Sequence, residues 1–253
     1  MHYEVEGEGP WALCVSGLLS NSNTSQFRLV PGLADGRRLV FGDHRGGGQS
    51  DTPPGPYTID QIADDWVALM DELGIEKAPV LGNSMGGMVA QSIAVRHPER
   101  VEKLVLSCTV PCVDPVMREL LELWFDVYVA MGIGRWTVAV TAMAAGPAYF
   151  NAHHETVRAA AGNVPDSVDT LGYRAQMDAL VAFDMRDRLG EIAPPTLVVS
   201  GEEDLVCRPA LGAQLAEAIG DARFVVLPGV GHLAQAEAPE EYGRHLLAFL
   251  EET

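Results

Sequence analysis

Two rhythms of apolar and polar residues alternate along this chain. Short apolar runs at 11–15, 38–41, 78–81, 101–106, 196–199 and 223–227 are bounded by glycine, proline or polar clusters and predict buried strands. Between them lie stretches whose apolar residues recur three and four apart. In 58–74 the stripe is Ile62, Trp66, Leu69, Met70 and Leu73, with Thr58 and Gln61 as a capping box and Gly74 as the stop. Helices are also predicted from Ser84 to about His97, over Pro209–Ile219, over Pro239–Leu250 and, shorter, over Gln26–Leu33. His2–Glu8 alternates weakly and predicts an edge strand. Strands and helices taking turns predict an α/β protein with a mostly parallel, doubly wound sheet of seven or eight strands.

The alternation stops near Pro111. From Val113 to Leu189 only helical patterns occur, at Val116–Met131, Gly134–Ala145, Glu155–Ala161 and Ser167–Phe183, punctuated by Gly132, Gly146–Pro147 and Pro165. This stretch has no lysine and many aromatic residues, among them Trp124, Tyr128, Trp136 and Tyr173. A helical block inserted in a parallel-sheet protein predicts a lid over the C-terminal strand ends, where open α/β sheets bind ligands. The expected organisation is a core of residues 1–111 and 190–253 with a helical cap of 112–189.

Composition narrows the class of partner. Asp and Glu outnumber Lys and Arg by 35 to 17, a formal charge of −18, which argues against nucleic acid and anionic membranes. No apolar run reaches the length of a membrane span, and Met1–Glu4 lacks the basic and apolar segments of a leader. Cys14, Cys108, Cys112 and Cys207 show neither zinc-site spacing nor a disulfide framework. The expectation is a cytoplasmic protein with a small-molecule substrate and no metal or cofactor; a homodimer is left open.

The chemistry concentrates in Ala78–Gln91. A strand runs into Gly82–Asn83–Ser84–Met85–Gly86, and a helix follows. This G-x-S-x-G pattern in a strand–turn–helix context lifts the Ser84 hydroxyl above the sheet and aims a helix N-terminus at it. A serine hydroxyl needs a base and a group that orients the base. In this kind of sheet both should follow later strands, in the order serine, acid, histidine. Asp204 follows strand 196–199, with Glu202, Glu203 and Asp114 as competitors for the acid, and His232 follows strand 223–227. The backbone N–H groups of Met85 and Leu18 are the expected oxyanion donors. The glycine-rich loop 42–50 does not match a phosphate loop, because no Gly–Lys–Ser/Thr closes it and prolines follow.

These residues resemble the α/β-hydrolase superfamily over nearly the whole chain. The pieces that match are Gly82–Gly87, Asp43–Ser50, Gly201–Asp204 and Gly231–His232. Residues 42–110 look most like 3-oxoadipate enol-lactonase-like and small-ester hydrolases. The resemblance implies structural loop roles for Asp43, Arg45 and Ser50. The chain departs from the family where Ser16–Gly17 replaces the frequent His–Gly and where Asn83 replaces a frequent His. The strand that usually precedes residues like 2–8 is not in this sequence, so the expectation is either a sheet one strand short or a start further upstream.

The function expected is ester or lactone hydrolysis through an acyl-enzyme on Ser84, with His232 as base and then acid. The same triad also serves C–C bond hydrolysis and non-hydrolytic biosynthetic steps, and a ligand-binding receptor can keep the fold. Trp124, Tyr128, Arg135 and Trp136 are the cap residues that could touch substrate; Arg135 either meets a substrate carboxylate or, the more ordinary reading, is a solvated helix residue.

Overall fold

The computed structural model describes residues 1–162 and 169–252. The strands are β1 (Tyr3–Glu6), β2 (Trp11–Val15), β3 (Arg38–Gly42), β4 (Ala78–Asn83), β5 (Val101–Ser107), β6 (Thr196–Gly201) and β7 (Ala222–Leu227). They form one seven-stranded sheet in the order β1-β3-β2-β4-β5-β6-β7. β1 pairs antiparallel with β3, Val5 opposite Val40, and every other neighbouring pair is parallel.

The strand period of two sends adjacent residues to opposite faces. In β4, Val80 joins one apolar cluster and Leu81 the other. The first cluster takes Ile62, Trp66 and Met70 from helix α1 (Ile59–Glu72) and Val89 and Ile93 from α2 (Met85–Arg96). The second takes Tyr242, Leu246 and Phe249 from α8 (Pro239–Glu251), together with Phe27 and Leu33. Helices on both faces explain why the central strands are continuous apolar runs. α1 starts at the predicted Thr58–Gln61 capping box. Residues Gln26–Leu29 form only a 3-10 turn, shorter than the helix the pattern predicts.

Between β5 and β6 the described residues form α3 (Pro115–Ala144), α4 (Pro147–Ala161) and α5 (Thr170–Val181). Gly132 interrupts α3 at φ 76° and ψ 170°, where the sequence places a break. α4 begins eight residues before its predicted start, because Pro147 occupies the first helical turn, where a missing N–H costs nothing. The predicted start of the last helix, at Ser167, lies outside the described residues, as does Pro165. By length and composition α3 would pass for a bilayer-crossing helix, unlike the expectation from apolar runs. It is broken at Gly132, however, and its stripe Met117, Leu121, Trp124 and Tyr128 is buried. Cys112 and Asp184 pair in an isolated antiparallel bridge, near where this helical stretch departs from the sheet and returns. Beyond β6 come α6 (Pro209–Ala218), β7 and the one-turn α7 (Ala234–Glu237).

Candidate active site

β4 ends at Asn83 and α2 begins at Met85, so Ser84 alone makes the turn. Its backbone sits at φ 56° and ψ −123°, a region that costs a side-chain-bearing residue about 1–3 kcal/mol. The turn is held by the Ser84 N–H donating to Ser107 O at 2.9 Å and by the Thr109 hydroxyl donating to Ser84 O at 2.8 Å. Gly86 permits the close approach: a β-carbon there would stand 2.5 Å from Ser16 O and overlap Val15 O. The turn is thus pressed against the end of β2.

Three strand ends bring three side chains together. His232 Nε2 lies 3.0 Å from Ser84 Oγ, and His232 Nδ1 lies 2.8 Å from Asp204 Oδ2. Asp204 Oδ1 accepts the N–H groups of Val206 and Cys207, each at 2.8 Å. A carboxylate only accepts, so Nδ1 carries the imidazole proton and Nε2 presents its lone pair to the hydroxyl. Asp204 and His232 are both buried. The competing acids are engaged elsewhere. Asp114 caps α3 through Met117 N–H and pairs with Arg208. Glu202 accepts the N–H of Gly229, and Glu203 is exposed.

The loop after β2 passes directly over Ser84. A β-carbon on Gly17 would lie 3.2 Å from Ser84 Cβ and 3.6 Å from its Oγ, so a side chain there would crowd the hydroxyl. Met85 is the first residue of α2, a position whose N–H has no partner inside the helix. Two buried polar side chains that sequence reasoning missed hold this loop. Gln176 of α5 accepts Leu19 N–H at 3.3 Å and donates to Arg45 O at 2.9 Å. His44 Nε2 meets Ser16 O at 2.9 Å while Trp66 Nε1 donates to His44 Nδ1 at 3.2 Å. A lone glutamine on an otherwise apolar helix face was the available signal for the first. For His44 there was only its place beside Asp43.

The Trp66 bond requires a neutral His44, and burial pushes the His44 imidazole below its usual value of 6.5. Unfolded chains take up a proton on this group at a higher pH than the folded protein does. The contribution of His44 is therefore complete above about pH 6.5 and is lost as the pH falls below it. Urea midpoints measured from pH 7 to pH 5 should fall, and should fall less in His44→Gln. Equal slopes in the two proteins would contradict this.

The family model described as alpha/beta hydrolase fold matches residues 10–239. The chain belongs to the α/β-hydrolase family. Among its relatives is the RutD protein of Agrobacterium fabrum, named for carbamate hydrolysis. It is 30% identical, over 99% of this chain and 98% of its own length. The enol-lactonase of Burkholderia xenovorans LB400 superposes with a TM-score of 0.88 at 31% identity, covering 99% of this chain and 96% of that one. A thermophilic esterase of Thermogutta terrifontis gives 0.86 at 28% identity, covering 98% and 92%. The narrower likeness to enol-lactonases read from residues 42–110 is thus present in the neighbours.

In this α/β-hydrolase a cavity of about 770 Å³ meets the site at Leu18 and is also lined by Leu19 and by Ile133, Trp136, Thr137 and Thr141 of α3; Ser84, Asp204 and His232 are not among its described lining residues. Of the four cap residues singled out from sequence, Trp136 lines this cavity. Trp124 and Tyr128 are buried, Tyr128 edge-on to Trp136 and Tyr173. Arg135 is exposed and is not among the lining residues of this cavity, as a solvated helix residue would be. It is one residue from Trp136, and one residue turns a helix by about 100°. Cys108, Asp204 and His232 offer ligand atoms within 4.8 Å of one another, the grouping among the described residues most able to hold a metal ion. The Asp204 and His232 atoms are already spent on each other and on Val206 and Cys207, so a metal there would dismantle the hydrogen-bonded chain to Ser84.

Proposed function

We propose that this hydrolase cleaves an ester or lactone of a small to medium, mostly apolar and uncharged substrate through an acyl-enzyme on Ser84. The observation that carries the reading is the continuous chain Ser84 Oγ to His232 Nε2 at 3.0 Å and His232 Nδ1 to Asp204 at 2.8 Å. Ser84 Oγ attacks the carbonyl carbon while His232 takes its proton. The resulting oxyanion accepts the N–H groups of Met85 and Leu18. The intermediate collapses, the C–O bond to the alcohol breaks, and His232 returns the proton to the leaving oxygen. A water molecule repeats the cycle on the acyl-enzyme and frees the acid. The carbamate, lactone and ester activities in the relatives' names all involve attack at an acyl carbon and fit this sequence of steps.

The cavity that adjoins the proposed oxyanion donor Leu18 is the space we assign to the substrate, and its lining supports an uncharged one. Among its described lining residues there is no lysine or arginine, and the ionisable ones are Asp43 and Asp169. Asp43 accepts the N–H groups of Ser22 and Gln49, and Asp169 caps α5 at Leu171. A substrate carboxylate there would lose its hydration without gaining a counter-charge. The test is a matched series of esters and lactones with and without a free carboxylate, with products read by mass. The neutral member of each pair should have kcat/KM higher by about 10-fold or more. Equal or reversed preference would sink the charge assignment, and absence of Ser84-dependent turnover in every pair would sink the hydrolytic reading.

A further inference from the structure

His232 is gripped from its backbone as well as through its ring. The carboxylate of Glu237, at the end of α7, accepts three main-chain N–H groups. Oε2 takes those of Gly231 and Gly146, each at 2.9 Å, and Oε1 takes that of Leu233 at 3.0 Å. Gly231 and Leu233 flank His232, and Gly146 lies in the junction between α3 and α4. The N–H of His232 itself donates to Ala144 O at 2.6 Å, in the last turn of α3. The two segments also touch without intervening side chains. A β-carbon on Gly231 would stand 2.5 Å from Ala144 O and 2.6 Å from Ala145 C, and one on Gly146 would stand 3.0 Å from Glu237 Oε2.

We infer that Glu237 is a positioning residue for His232 and the joint through which the end of α3 sets the angle of the imidazole. This rests on the reading of His232 as the base. An ionised carboxylate has enough lone pairs to hold three N–H donors, and charge-assisted bonds are the strong ones. They fix the main chain on both sides of His232, the base from which the ring reaches Asp204 through Nδ1 and Ser84 through Nε2. The path continues toward the substrate. Thr141 lines the cavity, and its carbonyl accepts the N–H of Ala145 at 2.9 Å. The wall of the cavity and the backbone of His232 thus share the last turn of α3. The effect of Glu237 falls on the chemical step rather than on binding.

Glu237→Gln tests this with size retained. One oxygen becomes an NH2 group, so a donor faces a donor at either Leu233 or the Gly146–Gly231 pair. The expected result is a fall in kcat of about 10- to 100-fold with KM within about twofold, as for a small misplacement of a reacting group. The labelling rate of Ser84 by a fluorophosphonate probe should fall by the same factor. Activity is expressed per folded molecule, from near-UV circular dichroism. A kcat within about twofold of the wild type, or a loss carried by KM, overturns the inference. If Glu237→Gln does not fold, Glu237→Asp, which keeps the charge but is one methylene short, is judged by the same criteria. Failure of both to fold would make Glu237 structural and overturn it equally. Wild-type protein that the probe does not label would instead remove the reading of His232 as base. Labelled wild type with an unslowed Glu237 variant removes the role of Glu237 alone.

Discussion

Ser84→Ala is expected to lower kcat on ester substrates by about 10⁴- to 10⁶-fold, leaving only what substrate binding and the oxyanion donors supply. The change deletes the hydroxyl that His232 Nε2 faces at 3.0 Å and nothing else. Alanine bears the same strain at φ 56° as serine, and the bonds that hold the turn come from main-chain atoms and Thr109. The thermal midpoint should therefore stay within a few degrees, and isothermal titration should still show binding of a slowly hydrolysed substrate. Single-turnover kinetics with mass detection of the acyl-enzyme reads the chemistry directly. An acyl adduct on another residue, or turnover within about tenfold of the wild type, would mean that Ser84 is not the nucleophile.

Asp204→Asn should cost about 10⁴-fold in kcat, nearly as much, for a different reason. The asparagine oxygen must stay with the N–H groups of Val206 and Cys207, which Asp204 Oδ1 accepts at 2.8 Å. Its NH2 group then faces His232 Nδ1 and forces that nitrogen to accept. The imidazole proton moves to Nε2 and points at Ser84, so the ring can no longer take the hydroxyl proton. The fold should be unharmed, since shape and the two main-chain bonds remain. Fluorophosphonate labelling of Ser84 should slow in step with kcat. A variant that labels at the wild-type rate would show that His232 is oriented by something other than Asp204.

Much of this site could be read from the chain because its members announce themselves by context. Ser84 lies between glycines after a strand, and Asp204 and His232 each follow a buried apolar run. The predicted strand ends fall within two residues of the observed ones, close enough to place both partners, because the apolar runs and the glycines that stop them are both visible. Thr58 and Gln61 show the same thing for a helix start, where local bonds decide the outcome. The supports of the site were not legible. Glu237, Gln176 and His44 act by holding main-chain N–H and C=O groups of residues far off in the chain, and such bonds leave no pattern in side-chain identity. The wall of the cavity was only partly legible. Aromatic content marked α3, but which of its residues turn toward substrate depends on the rotation of the helix against the core, and that is set by tertiary packing. Arg135 and Trp136 are neighbours with opposite fates for this reason.

The crowding around Gly86 has a consequence for how this scaffold can change. With the carbonyls of Val15 and Ser16 closed over it, position 86 tolerates no side chain, whereas Ser84 makes its supporting contacts through the main chain. The side chain at 84 is thus exchangeable and its seat is not. New reactivity is open to a different side chain at 84 or to a rebuilt wall on α3, while any redrawing of the turn would pull residue 84 away from the second strand.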